Sequence, residues 1–161
     1  RKAYRRESSG VAKFTSEQAA AVAAIQQVIY EWGDELDLHN GETMTARGCL
    51  TGDVEYFVGG EWRHGIVAVQ QFYDGRIAAQ REAGAIMRMR HFITNVKVSF
   101  TAEDHAKADF LLLFFAKAGD PPFTGYCDPL ASADVWMECR RDDSGDWRIS
   151  RFDSKQVYIR G

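Results

Sequence analysis

The spacing of apolar residues leaves the helical period for good near Gly84, and that change constrains the fold more than any single motif. Before it, apolar residues recur every three or four positions. Val22, Ile25, Ile29, Trp32 and Leu36 mark one segment, and Val69, Phe72, Tyr73, Ile77 and Ala78 mark another. This is the period of a helix that buries one face. After Gly84 the chain reads as strand almost throughout, in runs over 86–100, 105–117, 126–140 and 147–159. Helices first and a long antiparallel sheet afterwards make an α+β fold, in which the sheet must curl round something.

Local signals set the boundaries. Thr15-Ser16-Glu17-Gln18 is a capping box, with Phe14 placed as a staple, so the first helix starts there and runs to about His39. Asn40-Gly41 stops it, and a short second helix follows over 42–47. Residues 53–58 have strand composition, and Gly59-Gly60 reads as a tight turn into Glu61-Trp62-Arg63-His64. The Asp120-Pro121-Pro122 loop is expected at a cavity mouth, and Asp142–Asp146 turns the chain into its last strand. Residues 1–13 read as a basic arm and 14–161 as one domain.

Composition narrows the partners. A net charge of −3 over 161 residues gives no reason to expect nucleic acid or an anionic membrane. The apolar runs are too short to span a bilayer, and no leader pattern opens the chain, which begins at Arg1. Cys49, Cys127 and Cys139 are odd in number and lack CxxC spacing, which points to reduced cytoplasmic thiols rather than a disulfide framework or zinc site. No HExxH, phosphate loop, GxGxxG or nucleophile elbow is present, so neither a metal nor a cofactor is expected.

The residues that carry chemistry are Asp37, at the end of the first helix, and His91, inside the first long strand. A carboxylate beside an imidazole fixes its tautomer and steadies the charge it gains on taking a proton. A strand histidine alone is more often structural, but an acid in the last turn of a helix is poorly placed for the helix dipole and needs another reason to be there. Tyr30, Asp34 and Asp37 fall at i, i+4 and i+7, so they share a helix face that could border a cavity. Strict alternation puts His91 and Asn95 on one strand face. Tyr56, Leu112, Phe114, Tyr126 and Trp136 read as inward-facing core or pocket wall. The run over 110–115 is apolar on both faces, so its outer face needs a cover, and a homo-oligomer, dimer or trimer, would supply one.

This order, with a helix ending in Asp, a Gly-Glu-Trp-Arg-His-Gly hairpin, a His-Phe-Ile-Thr-Asn-Val strand and a Gly-Asp-Trp-Arg-Ile-Ser last strand, resembles the nuclear transport factor 2-like (cystatin-like) superfamily. Within it, the chain is similar to the SnoaL-like branch that includes scytalone dehydratase, bile acid 7α-dehydratase and hexachlorocyclohexane dehydrochlorinase. The resemblance covers roughly Thr15 to Tyr158. It implies a cone-shaped α+β barrel, with N-terminal helices packed on a strongly curved mixed or antiparallel sheet. It also implies that Asp37 and His91 form a catalytic dyad inside the cone, with Tyr30 as a shifted counterpart of a tyrosine in some relatives.

The reading that follows is a cofactor-independent lyase or isomerase acting on a small apolar, cyclic substrate. His91 takes a proton from carbon, Asp37 orients it, and Tyr30 or Asn95 holds a substrate oxygen. Asp34, Tyr56, Leu112, Phe114 and Trp136 complete the expected substrate contacts. The alternatives are a structural subunit resembling the β subunit of aromatic-ring-hydroxylating dioxygenases, a polyketide cyclase, and a ligand-binding module.

Overall fold

A computed structural model describes residues 13–160. Helix α1 (Ser16–His39) opens on the capping box: the Gln18 amide donates to Thr15 Oγ1, and the Thr15 amide donates to Gln18 Oε1, each at 3.1 Å. Phe14 meets Phe100 edge-on, with ring centroids 6.1 Å apart. Ile25, Ile29, Trp32 and Leu36 are buried along the expected stripe. The helix ends at Asn40, which takes the left-handed conformation, followed by Gly41 at φ 84°. Helix α2 (Met44–Arg47) is shorter than its sequence suggests.

Strand β1 (Leu50–Val58) turns through Gly59-Gly60, both at positive φ, into β2 (Glu61–His64). Helix α3 (Ile66–Glu82) follows, and then the four long strands: β3 (Met87–Ala102), β4 (His105–Ala118), β5 (Ala131–Arg141) and β6 (Trp147–Ile159). With β1 and β2 they form one six-stranded sheet in the order β2-β1-β6-β5-β4-β3. β1 lies parallel to β6, so the sheet is mixed, and it is open, with β2 and β3 at its edges. This is the expected α+β cone, with helices packed on one face of a sheet that does not close.

The start of the third long strand needs correction. Strand β5 starts at Ala131, and residues before it form a loop in which Tyr126 is 88% exposed, so Tyr126 is not core. Pro121, Pro122 and Pro129 have no backbone N–H to donate, and Gly119 and Gly125 hold positive φ, so this segment does not read as a paired strand. The basic arm expected at 1–13 lies outside the described residues apart from Lys13. Among the described residues, no helix is long and apolar enough to cross a membrane.

The core lies between α1, α3 and the concave face, centred on Trp32, Tyr56, Phe110, Val135 and Ile149. Burying each large apolar side chain contributes about 1.5–3 kcal/mol. Ile25, Ile29, Trp32 and Leu36 belong to this core and pack α1 against the sheet beside the cavity.

Candidate functional site

Asp37 and His91, 54 residues apart in sequence, meet where the last turn of α1 crosses the start of β3. Asp37 Oδ1 lies 2.5 Å from His91 Nδ1, and Asp37 Oδ2 accepts the His91 backbone N–H at 2.9 Å. Both side chains are 11% exposed. A carboxylate only accepts hydrogen bonds, so Nδ1 carries the hydrogen in this pair and Nε2 presents its lone pair. The backbone bond fixes the carboxylate relative to the strand, and the ring bond fixes the imidazole relative to the carboxylate.

The imidazole is held between aromatic rings. Its centroid is 4.6 Å from Phe114, its cross-strand partner, and 6.0 Å from Trp32. Beyond it opens a cavity of about 640 Å³. This size is ordinary for a small-molecule pocket, commonly about 300–1,000 Å³. Leu36, Leu112, Phe114, Val135 and Phe152 form apolar walls, and the Gly59-Gly60 turn and Ser154-Lys155-Gln156 of β6 stand along its rim.

A second polar group faces the cavity. Trp32 Nε1 donates to the Tyr56 hydroxyl at 2.7 Å, and that hydroxyl lies 2.9 Å from the Tyr73 hydroxyl. The three groups supply three hydrogens, one indole N–H and two O–H, and only two are spent between them. One O–H is therefore not spent within the cluster. Burial raises the pKa of both tyrosines, so they stay neutral donors; Arg76, 4.8 Å from the Tyr73 ring, opposes the shift there. Arg76 also lines the cavity, and its guanidinium donates to the Asn40 carbonyl at 3.3 Å.

Of the expected substrate contacts, Tyr56, Leu112 and Phe114 line this cavity with His91. Tyr30 and Asp34 do not: Tyr30 is 44% exposed and Asp34 is exposed beside it. Their alignment with Asp37 around the helix is real, but Tyr30 lies two turns, about 10 Å, nearer the N-terminus, beyond the part of α1 that meets His91. Asn95 is also exposed, because it sits at φ 56° in a β-bulge between Thr94 and Lys97. The extra residue breaks the alternation that would have set Asn95 on the face of His91. Trp136 alternates with buried Val135 and Met137 and so takes the opposite face of β5. Pro121 borders a separate groove beside Asp37 rather than the mouth of the His91 cavity.

Sequence reasoning passed over Tyr73 as a polar group and missed Arg76 altogether. The available signal was spacing: Arg76 follows Tyr73 by three residues, next to the buried Val69–Tyr73–Ile77 stripe of α3, where an arginine needs a reason.

Comparison with known proteins agrees with this architecture. No curated protein sequence matches the chain. The fold matches hexachlorocyclohexane dehydrochlorinase LinA-type3 from Novosphingobium barchaimii at a TM-score of 0.70 and 18% identity, over 89% of this chain and 91% of that one. ActVI-ORFA from Streptomyces coelicolor matches at 0.71 and 13% identity, over 89% and 99%. A provisionally named scytalone dehydratase from Novosphingobium aromaticivorans matches at 0.64 and 14% identity, over 91% of each chain. At these identities the likeness is one of fold. The family model for the SnoaL-like domain matches residues 17–153, from the first turn of α1 into β6, and the chain belongs to that family.

Proposed function

We propose that this protein is a cofactor-independent lyase or isomerase that removes a proton from carbon in a small, largely apolar, cyclic substrate. The observation that carries the reading is the doubly hydrogen-bonded Asp37–His91 pair set at the wall of an apolar cavity. The fold neighbours include a dehydrochlorinase and a provisionally named dehydratase, which supports an elimination.

In the proposed step His91 Nε2 accepts the proton, and the electron pair of the broken C–H bond forms a new C=C bond. In an elimination, the leaving group departs with its own electron pair, as halide, or as water after taking a proton from the imidazolium. In an isomerisation, the imidazolium returns the proton to another carbon. Asp37 stabilises the imidazolium, and the unspent tyrosine O–H, with Arg76 behind it, holds a substrate oxygen. The Tyr56–Tyr73 pair thus takes the part expected of Tyr30 or Asn95. Base catalysis of this kind contributes about 10²–10⁴-fold, and the oriented donors add to it.

The test is a screen of hydroxylated and halogenated cyclic compounds, with His91→Ala as the control. Turnover should fall by about 10²-fold or more in His91→Ala while the circular dichroism spectrum is unchanged. A variant that keeps wild-type turnover would remove the mechanism.

We further infer a homo-oligomer, dimer or trimer. Phe92, Leu113 and Tyr158 stand in one cross-strand row on the outer face of the sheet and are 56%, 36% and 74% exposed. Light scattering should give a multiple of the 18.2 kDa chain mass. We place the protein in the cytoplasm on its cysteine usage, since Cys49, Cys127 and Cys139 form no disulfide.

A further inference from the structure

The dyad separates two concavities. His91 lines the large cavity, whereas Asp37 lines a second groove of about 380 Å³ that runs beside edge strand β3. This second groove combines apolar walls with a concentration of positive charge. Leu38, 59% exposed, Phe115 and Phe123 supply apolar surface. Arg88, Arg90 and Lys117 supply the charge.

The placement of those cations is unfavourable as pure structure. Arg88 and Lys117 are direct cross-strand partners, and Arg90 follows Arg88 on the same face of β3. Like charges set opposite one another in an antiparallel pair destabilise it. Little offsets them. Arg88 reaches Asp120 at 3.4 Å, but the Asp120 side chain is 95% exposed, so that pair is weak. The Arg90 guanidinium donates to the Met89 carbonyl, and Lys117 lies 5.2 Å over the Phe123 ring. Neither Arg90 nor Lys117 makes an ion pair among the described residues. Cations on an edge strand also repel stray strand pairing. That role does not call for a concave apolar wall beside them, nor for a matching lysine on the inner neighbour β4.

We propose that this groove binds an amphipathic monoanion. Its apolar body lies against Leu38, Phe115 and Phe123, and its carboxylate, sulfonate or phosphate meets Arg90 and Lys117. The site is distinct from the His91 cavity and shares only the Asp37 wall with the dyad. It needs no catalytic step, so it stands or falls separately from the proposed reaction.

The experiment is calorimetric titration of the whole protein with octanoate and, in parallel, with octanol, its uncharged counterpart. Amide chemical shifts would locate the bound molecule. Octanoate should bind more tightly than octanol, perturb Leu38, Ala116 and Phe123, and weaken as salt is raised. Replacing both cations (Arg90→Gln with Lys117→Gln) should weaken octanoate by about tenfold or more, as expected for the loss of charge-assisted hydrogen bonds, and leave octanol unchanged. The salt dependence is read on the wild-type protein, so a poorly folding variant would not rescue the idea. Equal binding of the two ligands, shifts confined to the His91 cavity, or no saturable octanoate binding at millimolar concentration would each overturn it.

Discussion

Asp37 accepts two hydrogen bonds from one residue, and the two have different consequences. The bond from the His91 backbone anchors the carboxylate whatever the ring does, and the bond from Nδ1 selects the tautomer. Asp37→Asn should therefore fold but lose most turnover, because the amide's NH₂ can turn toward Nδ1 and favour the tautomer whose Nε2 already carries a hydrogen. Stability measured by denaturant titration should fall by about 1.5–3 kcal/mol, the worth of hydrogen bonds to a charged group. Reactivity of the thiols follows burial in the same way. Burial holds Cys49 and Cys139 at a pKa of about 12, whereas Cys127 is exposed. A thiol-titrating disulfide reagent should find one fast equivalent in the native protein and the other two only on unfolding. At this scale the sequence was legible where a residue type was out of place, as for an acid in a last helical turn. It was silent on Asn95, whose exposure depends on a bulge that no local pattern marks.

The end of α1 decides whether the site exists, and polar contacts there add to the packing of buried Trp32 and Leu36. Glu35 is fully buried there; its carboxylate accepts the Thr43 backbone N–H at 2.8 Å and the Thr43 hydroxyl at 2.7 Å, tying the chain reversal to the helix that carries Asp37. Glu35→Ala leaves that amide unsatisfied and should cost about 2–3 kcal/mol, read as a lower thermal midpoint. Gly41 is the second device. It holds φ 84°, and a Cβ there would come within 2.4 Å of Tyr73 Cγ. Gly41→Ala should destabilise the protein and displace Tyr73 together, so near-ultraviolet dichroism should change along with the melting temperature. Asn40-Gly41 was readable as a stop signal because helix ends have a local chemistry. The burial of Glu35 was not readable, since it depends on where Thr43 returns in space.

At the scale of the whole molecule, one face of an open mixed sheet carries the cavity, and the other exposes Phe92, Leu113 and Tyr158. The change of hydrophobic period at Gly84 made the element order legible, and the two long helices and the four long strands follow it. The parallel β1–β6 pairing was not legible, because register between distant strands is set by the closed core and not by either strand alone. The polar cluster has a consequence for the whole fold. The buried Tyr56 and Tyr73 hydroxyls stay protonated in the native state at pH values where the unfolded chain's tyrosines ionise, near pH 10. Folded pKa values raised above the unfolded value mean stability that is intact below about pH 10 and lost as pH rises beyond it. The thermal midpoint should therefore be flat on the neutral side and fall on the alkaline side, less steeply in Tyr73→Phe. An identical alkaline fall in that variant would show that the pair does not govern it.

The central claim is that His91 takes a proton from carbon. It is tested most directly by incubating a cyclic compound that binds the His91 cavity in deuterated water and following deuterium at the acidic carbon by mass spectrometry. The wild-type protein should catalyse the incorporation or the accompanying elimination, and His91→Ala should do neither above the solvent background. Incorporation at an equal rate in His91→Ala would contradict the account and leave Asp37 and His91 as a structural pair.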